Sequence, residues 1–416
     1  MIILPLANHL FQKGLSQHKF IVYKNHSHIN YKWENDMLLK LSLIVLLKIA
    51  IVALCLSCSN ESPPTASDPS LAEQLQKALD DGIINYDGKG VSVAVIIPGQ
   101  EMWVGVSGIS HETTPITADM LFSAGSITKT FTSATIMQLA EENILSLDDS
   151  LYKWISNYSN IDSTITIKQL LNHTSGLYDI AENSQLFEAI FSDQNRIWTC
   201  EEILSEYVLE PYFPKGTEWQ YSNTGYIILR SIIEQVSTMQ ISNEYRSRFL
   251  IPLNLNRTFL APEETLPTPI AHGWHDFNGS YEELPEISMA SFYSAAGGGI
   301  FTTAEDLAKW ANSLFHDRTA VSPQIMDQMI DFYSPITNQQ LLSGYGLGVE
   351  RFNLELFKGL EIWGHGGDPV GYAAGCFYIP QYGVSIGIMD NTAGGETMDV
   401  IFDIVDIITN HLTKSS

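Results

Sequence analysis

The chain has 416 residues, 45% of them hydrophobic, enough to bury a large core in one sizeable unit. Its formal net charge of −25 repels phosphate backbones and argues against nucleic acid as a partner. Of its four cysteines, Cys55 and Cys58 fall in the leader, and Cys200 and Cys376 alone make neither a disulfide framework nor a zinc-thiolate set.

Residues 1–36 are polar and irregular and resemble neither a signal nor a domain, so translation is expected to begin at Met37. From there Lys40 and Lys48 supply a basic region, and the apolar stretch Ile49 to Ser57 runs up to Cys58, the pattern of a secretory signal over residues 37–57. The alternative is a signal anchor crossing a membrane at residues 38–57, in which Lys48 near the centre would cost roughly 2.5–3.5 kcal/mol. Residues 59–70 (SNESPPTASDPS) read as a flexible tether, and residues 71–416 as the folded domain.

Leu71 to Ile84 has helical spacing, with Leu71, Leu75, Leu79 and Ile83 on one face. Gly90 to Pro98 and Glu101 to Ile109 read as two strands joined at Gly99-Gln100. Ser126 to Asn143 is a helical run apolar on most sides and therefore buried. Thr166 to Gln169 is a capping box opening a helix that stops at Gly176. Tyr226 to Val236 and Thr303 to about Leu314 are further helices. Strand patterns return at Tyr345–Phe352, Ala373–Pro380 and Gly383–Asp390, and an amphipathic helix over about Glu396 to Leu412 closes the chain. Cys376, inside the apolar run AAGCFYI, reads as a buried, inert thiol. Strand-rich ends around a helix-rich middle point to an α+β fold: an antiparallel sheet flanked by N- and C-terminal helices, with a helical insert at about 126–290.

Three short patterns carry chemistry. In Ser126-Ile-Thr-Lys129 the three-residue spacing puts both side chains on one helix face, where a lysine of lowered pKa can take the hydroxyl proton. The helix start also favours a developing oxyanion. The same spacing occurs at Ser16…Lys19, in the leader, and at Ser150…Lys153, where Ser150 reads as a helix cap. In Tyr221-Ser-Asn223 a tyrosine can relay a proton and an asparagine can hold a substrate amide or the lysine. Its double, Tyr158-Ser-Asn160, lies in turn chemistry. In His365-Gly366-Gly367 two glycines let backbone approach a ligand closely, with a turn and a satisfied histidine as the plainer reading. No HxH or HExxH pattern points to a metal, and no cofactor is implied.

Taken in that order, SxxK, YxN and HxG resemble the active-site motifs of the class C β-lactamase and D-alanyl-D-alanine carboxypeptidase family. The similarity extends to LFSAGSITKTFTSATIMQLAEENILSLDD, LLNHTSGL, PKGTEWQYSNTGY, AAGGGIFTTAEDLAKW, GYGLGVE and GHGGDPVGY, and covers about residues 75–412. It sets aside the Ser150 and Tyr158 doubles. The resemblance implies a β-lactamase/transpeptidase-like fold in which Ser126 forms an acyl-enzyme. Lys129 would be its base or electrostatic activator, and Tyr221 would relay protons; either could be the base. Asn223 would hold the substrate side chain, with His365 and Gly367 beside the substrate. The backbone N–H groups of Ser126 and Asp368 would form the oxyanion hole. His173, in LLNHTSGL, is read as a core histidine outside the site.

Typical class C β-lactamases carry Lys-Thr-Gly at the third motif, so His365-Gly-Gly is a departure. Lysine gives a permanent cation for a substrate carboxylate, whereas histidine near its usual pKa is mostly neutral at pH 7. The resemblance therefore implies a serine hydrolase acting on a small peptide, amide or ester rather than mainly on antibiotics. Carboxypeptidase, D-aminopeptidase and esterase activities are not separated by the sequence. His365 is expected to face the substrate and to titrate near neutrality. The alternatives are a non-catalytic envelope protein that binds peptidoglycan-like peptides, and a membrane-tethered scaffold. The leader, in the manner of lipoproteins, implies a lipid on Cys58 and an exported, membrane-tethered protein of the cell envelope, facing the periplasm or the outer surface.

Overall fold

The computed structural model describes residues 69–415, apart from 87, 156–157, 194–195, 277–279, 285–297, 335, 337–339 and 394–396. The expectations for Met37, the signal, Cys58 and most of the tether lie outside the described residues. Helix α1 (Leu71–Asn85) opens with a capping box: Ser70 N–H donates to Glu73 Oε2 at 2.7 Å and Glu73 N–H to Ser70 Oγ at 3.3 Å. Its Leu75 and Leu79 are buried as the spacing predicts.

Strands β1 (Gly90–Ile96) and β2 (Trp103–His111) form the expected hairpin, with a turn wider than two residues. Short strands β3 (Thr114–Pro115) and β4 (Phe122–Ser123) follow, and α2 (Thr128–Glu141) is buried nearly all round. A buried helix must satisfy its hydroxyls internally. Thr132 bonds Tyr245 at 2.7 Å, Thr135 donates to the Phe131 carbonyl at 2.9 Å, and Thr130 accepts from Trp310 Nε1 at 2.8 Å. Phe131 stacks on Trp310 with ring centres 3.8 Å apart.

Between β4 and the later β8 the regular structure of the described residues is mostly helical. It holds α3 (Ile167–Leu171), α4 (Ser184–Ser192), α5 (Cys200–Glu206), α6 (Asn223–Ser237) and α7 (Ile241–Tyr245). Small strands β5 (Phe259–Leu260), β6 (Trp274–Asp276) and β7 (Tyr281–Glu283) come next, then β8 (Ile300–Thr302). Helices α8 (Ala304–Ala311) and α9 (Pro323–Met329) lead back to strands β9 (Leu342–Tyr345), β10 (Glu350–Phe352), β11 (Trp363–Gly367), β12 (Ala373–Ile379) and β13 (Val384–Asp390). Helix α10 (Thr397–Ser415) completes the chain.

The main sheet has eight strands in the order β3-β2-β1-β13-β12-β11-β10-β9, with antiparallel neighbours. The last strands return to pair with the first, so the α+β sheet closes around both ends of the folded unit. Helix α10 lies with α1 over one face, its Ile401, Ile404 and Ile408 packed in one cluster with Val91, Val93 and Val95. Helix α8 covers the other face at β13 and β1. Full burial of each such aliphatic side chain contributes roughly 1.5–3 kcal/mol, so the two helices supply much of the sheet's hold.

Two elements depart from the sequence pattern. The strand expected over Tyr345–Phe352 is a hairpin: Gly346 N–H donates to the Val349 carbonyl at 2.7 Å, and Gly348 turns the chain at φ +75°. Alternation of apolar residues survives a tight glycine turn, so the pattern conceals the reversal. Tyr345 and Glu350 consequently stand opposite each other on β9 and β10. Helix α3, capped by Thr166 and Gln169 as expected, ends at Leu171 rather than Gly176. Asn172 Oδ1 accepts from Thr174 N–H and Oγ1, at 3.2 and 2.7 Å, a side-chain turn that competes with the helix.

Candidate active site

After β4 the chain turns through Gly125 at φ +51°, and a Cβ there would lie 2.7 Å from Pro369 Cδ, so both the turn and the packing call for glycine. A single tight turn (Gly125–Ile127) then leads into α2, leaving Ser126 half-buried and Lys129 fully buried one turn on. Lys129 Nζ donates to Ser126 Oγ at 3.0 Å and to Asn223 Oδ1 at 2.8 Å. It lies 5.1 Å from the ring centre of Tyr221 and 5.3 Å from that of Tyr226. The Tyr221 phenol lies beside Ser126, whose side chain offsets part of the burial that raises it.

Asn223, first residue of α6, is held by Asp179. Its backbone N–H donates to Asp179 Oδ1 at 3.0 Å, and its Nδ2 donates to the same carboxylate at 3.0 and 3.2 Å. A carboxylate accepts only, so Asp179 fixes the amide with Nδ2 towards itself and Oδ1 towards Lys129. The structure thus joins Ser126, Lys129, Tyr221 and Asn223 in one connected set.

Burial drives the Lys129 amine down to about 7, against the opposing pull of the Asp179 and Glu350 carboxylates. Near neutral pH a good part of it is a free amine whose lone pair can accept the Ser126 proton. Burial likewise pushes the Tyr221 phenol well above its ordinary range, so it is a proton donor and not a standing phenolate. Burial raises Glu350 to about 7, opposed by the Gly366 N–H that its Oε2 accepts at 2.7 Å. Between the two candidate bases, these environments favour Lys129.

The third motif needs a correction. His365 on β11 is 1% exposed, and its ring is engaged inside the protein. Nδ1 lies 2.6 Å from the Gly366 carbonyl, which can only accept, so Nδ1 carries the proton and Nε2 takes the Tyr345 hydroxyl at 3.0 Å. Burial, reinforced by Lys129, lowers its pKa to about 3. His365 is therefore neutral at any ordinary assay pH and titrates nowhere near neutrality; it supports Tyr345 and the strand instead of facing a substrate as a cation.

Gly367 is seated against the Ser126 turn: a Cβ there would lie 2.0 Å from the Ala124 carbonyl and 3.4 Å from Ser126 N. Asp368, exposed, is the residue that follows this contact directly. Gly367→Ala should push β11 off the turn and lower the acylation rate about 100-fold or more, since misplacement by 1 Å costs that much. Retained acylation in a folded Gly367→Ala protein would show that the contact is dispensable.

The doubles stay outside this set. Lys153 pairs with Asp149 at 2.8 Å, and Asn160 Nδ2 donates to the Val208 carbonyl at 2.8 Å. Ser150 precedes a short turn without a side-chain capping bond, so it is not the cap that its position suggests. Asp179, Tyr345 and Glu350 are the site residues that sequence reasoning missed. Asp179 sits six residues after His173 in a turn-rich stretch, and Glu350 was hidden by the mistaken strand. Asp179→Asn should shift the acid limb of the kcat/KM profile below that of the wild type. Removing the anion disfavours the Lys129 ammonium, so the free amine persists to lower pH. A limb that stays in place, or moves up, would show that Asp179 does not set the lysine.

A family model described as Beta-lactamase matches residues 71–406. Penicillin-binding protein 4* of Bacillus subtilis (strain 168) is 28% identical over 219 residues, covering 50% of this chain and 47% of its own length. This chain therefore spans about half of that relative. Penicillin-binding protein 4 of Amycolatopsis lactamdurans is 25% identical over 337 residues, covering 76% of this chain and 83% of its own. The structure of D-amino acid amidase from Ochrobactrum anthropi SV3 complexed with L-phenylalanine amide superposes with a TM-score of 0.73 at 25% identity, over 82% of this chain and 99% of that one.

Proposed function

The chain belongs to the β-lactamase family, and from that premise we propose that it is an acyl-serine hydrolase of small amides, peptides or esters that lack an obligatory carboxylate. The observation that carries this reading is the Lys129 amine, buried, lowered to about 7 and 3.0 Å from Ser126 Oγ. As Oγ bonds to the substrate carbonyl carbon, its proton passes to Lys129 Nζ. The oxyanion is met by the N–H groups of Ser126 and Asp368. Tyr221 gives its proton to the leaving nitrogen or oxygen as the bond from that atom to the acyl carbon breaks and the carbonyl re-forms, and is reprotonated from Lys129. Water then reverses the sequence and frees Ser126.

The preference against carboxylates rests on charge. His365 is neutral, Glu350 lies beside the same strand, and Lys129 is the one lysine or arginine among the described residues that bonds to Ser126 or Asn223. The D-amino acid amidase complexed with L-phenylalanine amide is a precedent for a ligand without a carboxylate, and the same enzyme has also been seen with L-phenylalanine, so the charge argument and not the precedent carries the preference. A panel of D-amino-acid amides, p-nitrophenyl esters and nitrocefin tests this. Turnover of the first two above nitrocefin is expected; faster turnover of nitrocefin would overturn the substrate preference. Absence of any covalent label on Ser126 would favour the non-catalytic, peptide-binding alternative.

The leader supports an exported, membrane-tethered form carrying lipid on Cys58. Cys58→Ser should then leave an unprocessed or soluble protein with no lipid mass. A peptide from residues 1–36 in the purified mature protein would contradict both the cleavage and the Met37 start.

A further inference from the structure

Three contacts converge on the segment that carries Tyr221, and all three come from His173. The His173 carbonyl accepts Gln220 N–H at 3.1 Å. Its Nδ1 accepts Ser222 N–H at 3.1 Å. Its ring tilts against the Tyr221 ring, with centres 4.2 Å apart. The residues before and after Tyr221 are thus tied by their backbones, and Tyr221 itself is backed by the imidazole.

The backbone of His173 stands at φ +60°, a left-handed conformation that histidine and asparagine adopt more readily than most residues. With Ser222 N–H on Nδ1, the ring proton sits on Nε2, which has no hydrogen-bond partner among the described residues. The Tyr345 ring lies edge-on to the imidazole at 4.6 Å, and Tyr226 is 5.4 Å away. His173 is 1% exposed, and burial holds it neutral. A residue needed only for volume would not also require a ring-nitrogen acceptor aimed at the backbone beside a proton relay.

We propose that His173 is a positioning residue that holds the Tyr221 hydroxyl at Ser126. This rests on the hydrolase reading above, in which Tyr221 relays the leaving-group proton. His173 touches no reacting atom and acts through Tyr221 alone.

Two variants separate its contacts in the full chain. His173→Asn keeps an acceptor near the Nδ1 position and tolerates the left-handed backbone, but removes the ring. His173→Phe keeps a ring and removes the acceptor. With a p-nitrophenyl ester under single-turnover conditions, each should lower the acylation rate constant about 10- to 100-fold, the cost of misplacing a reacting group by a fraction of an ångström to 1 Å. The concentration for half-maximal acylation should change less than threefold. In a Tyr221→Phe background the same His173 changes should add less than a twofold loss, because residues acting through one group are not additive.

An unchanged acylation rate in either folded variant would overturn the proposal. So would a change confined to half-saturation, or a full loss added on top of Tyr221→Phe. Failure of both variants to fold would overturn it too, since His173 would then hold the domain and not Tyr221. Absence of Ser126 acylation in the wild type is a different outcome, and would remove the hydrolase reading itself.

Discussion

Ser126→Ala is expected to abolish acyl-enzyme formation and to lower kcat on the order of 10³-fold or more, while the protein stays folded. The magnitude follows from deleting the nucleophile of a connected set, whose members fail together. The fold should tolerate the change because Ser126 is half-buried on a one-turn element and its hydroxyl bonds only within the site. The glycine turn at Gly125 remains as it is. Intact-mass analysis after a fluorophosphonate, followed by peptide mapping, is the check. An adduct on Ser150, or undiminished labelling of the alanine variant, would overturn the assignment of the nucleophile.

Lys129→Met is expected to cost a comparable factor in kcat and to remove the acid limb near pH 7 from the kcat/KM profile. Methionine fills much of the space but can neither accept the Ser126 proton nor donate to Asn223. In the wild type, activity should rise with pH through about 7 as the ammonium gives up its proton. His365, at about 3, contributes no limb in that range, so His365→Gln should leave the position of this limb unchanged. Glu350 lies near 7 as well, and Glu350→Gln separates its part: losing that anion should move the lysine limb to lower pH without abolishing it.

The same residue carries an opposite stability signature. The folded pKa of Lys129 lies below its unfolded value of about 10.5, so between roughly pH 7 and 10.5 the unfolded chain binds more protons and stability rises with pH. Below pH 7 the whole cost of burying the ammonium is present. Lys129→Met should therefore melt above the wild type at pH 6, with the gap narrowing towards pH 10. Part of the gain is offset because Asp179 and Glu350 lose a nearby cation. A variant less stable than the wild type at pH 6 would show that the lysine's partners outweigh its desolvation.

The sequence by itself determined the local parts of this site. Three-residue spacing on a helix is enough to put Ser126 and Lys129 on one face, and the structure has Nζ 3.0 Å from Oγ. The capping box at Thr166 is read within four residues and formed as written. Strand and helix periodicity placed the hairpin at the start, the two strands at the end and the buried helix between them. Such interactions reach only one turn or one pleat, so the text contains them.

The tertiary structure alone decided what the site can do. The Lys129 amine is lowered because a fold buries it, and the groups that oppose the shift, Asp179 and Glu350, come from the insert and the far end of the chain. Its partner Asn223 is 94 residues away in sequence. Glu350 and Tyr345 reach the site only through a glycine turn that apolar alternation concealed. His365 became a neutral, internal residue because β11 is covered and Tyr345 takes its free nitrogen. His173 passed for core because its contacts to residues 220 and 222 arise only when α3 and the start of α6 are brought together. Desolvation and hydrogen-bond direction belong to the surroundings of a group, and those surroundings are assembled from segments that no local pattern connects.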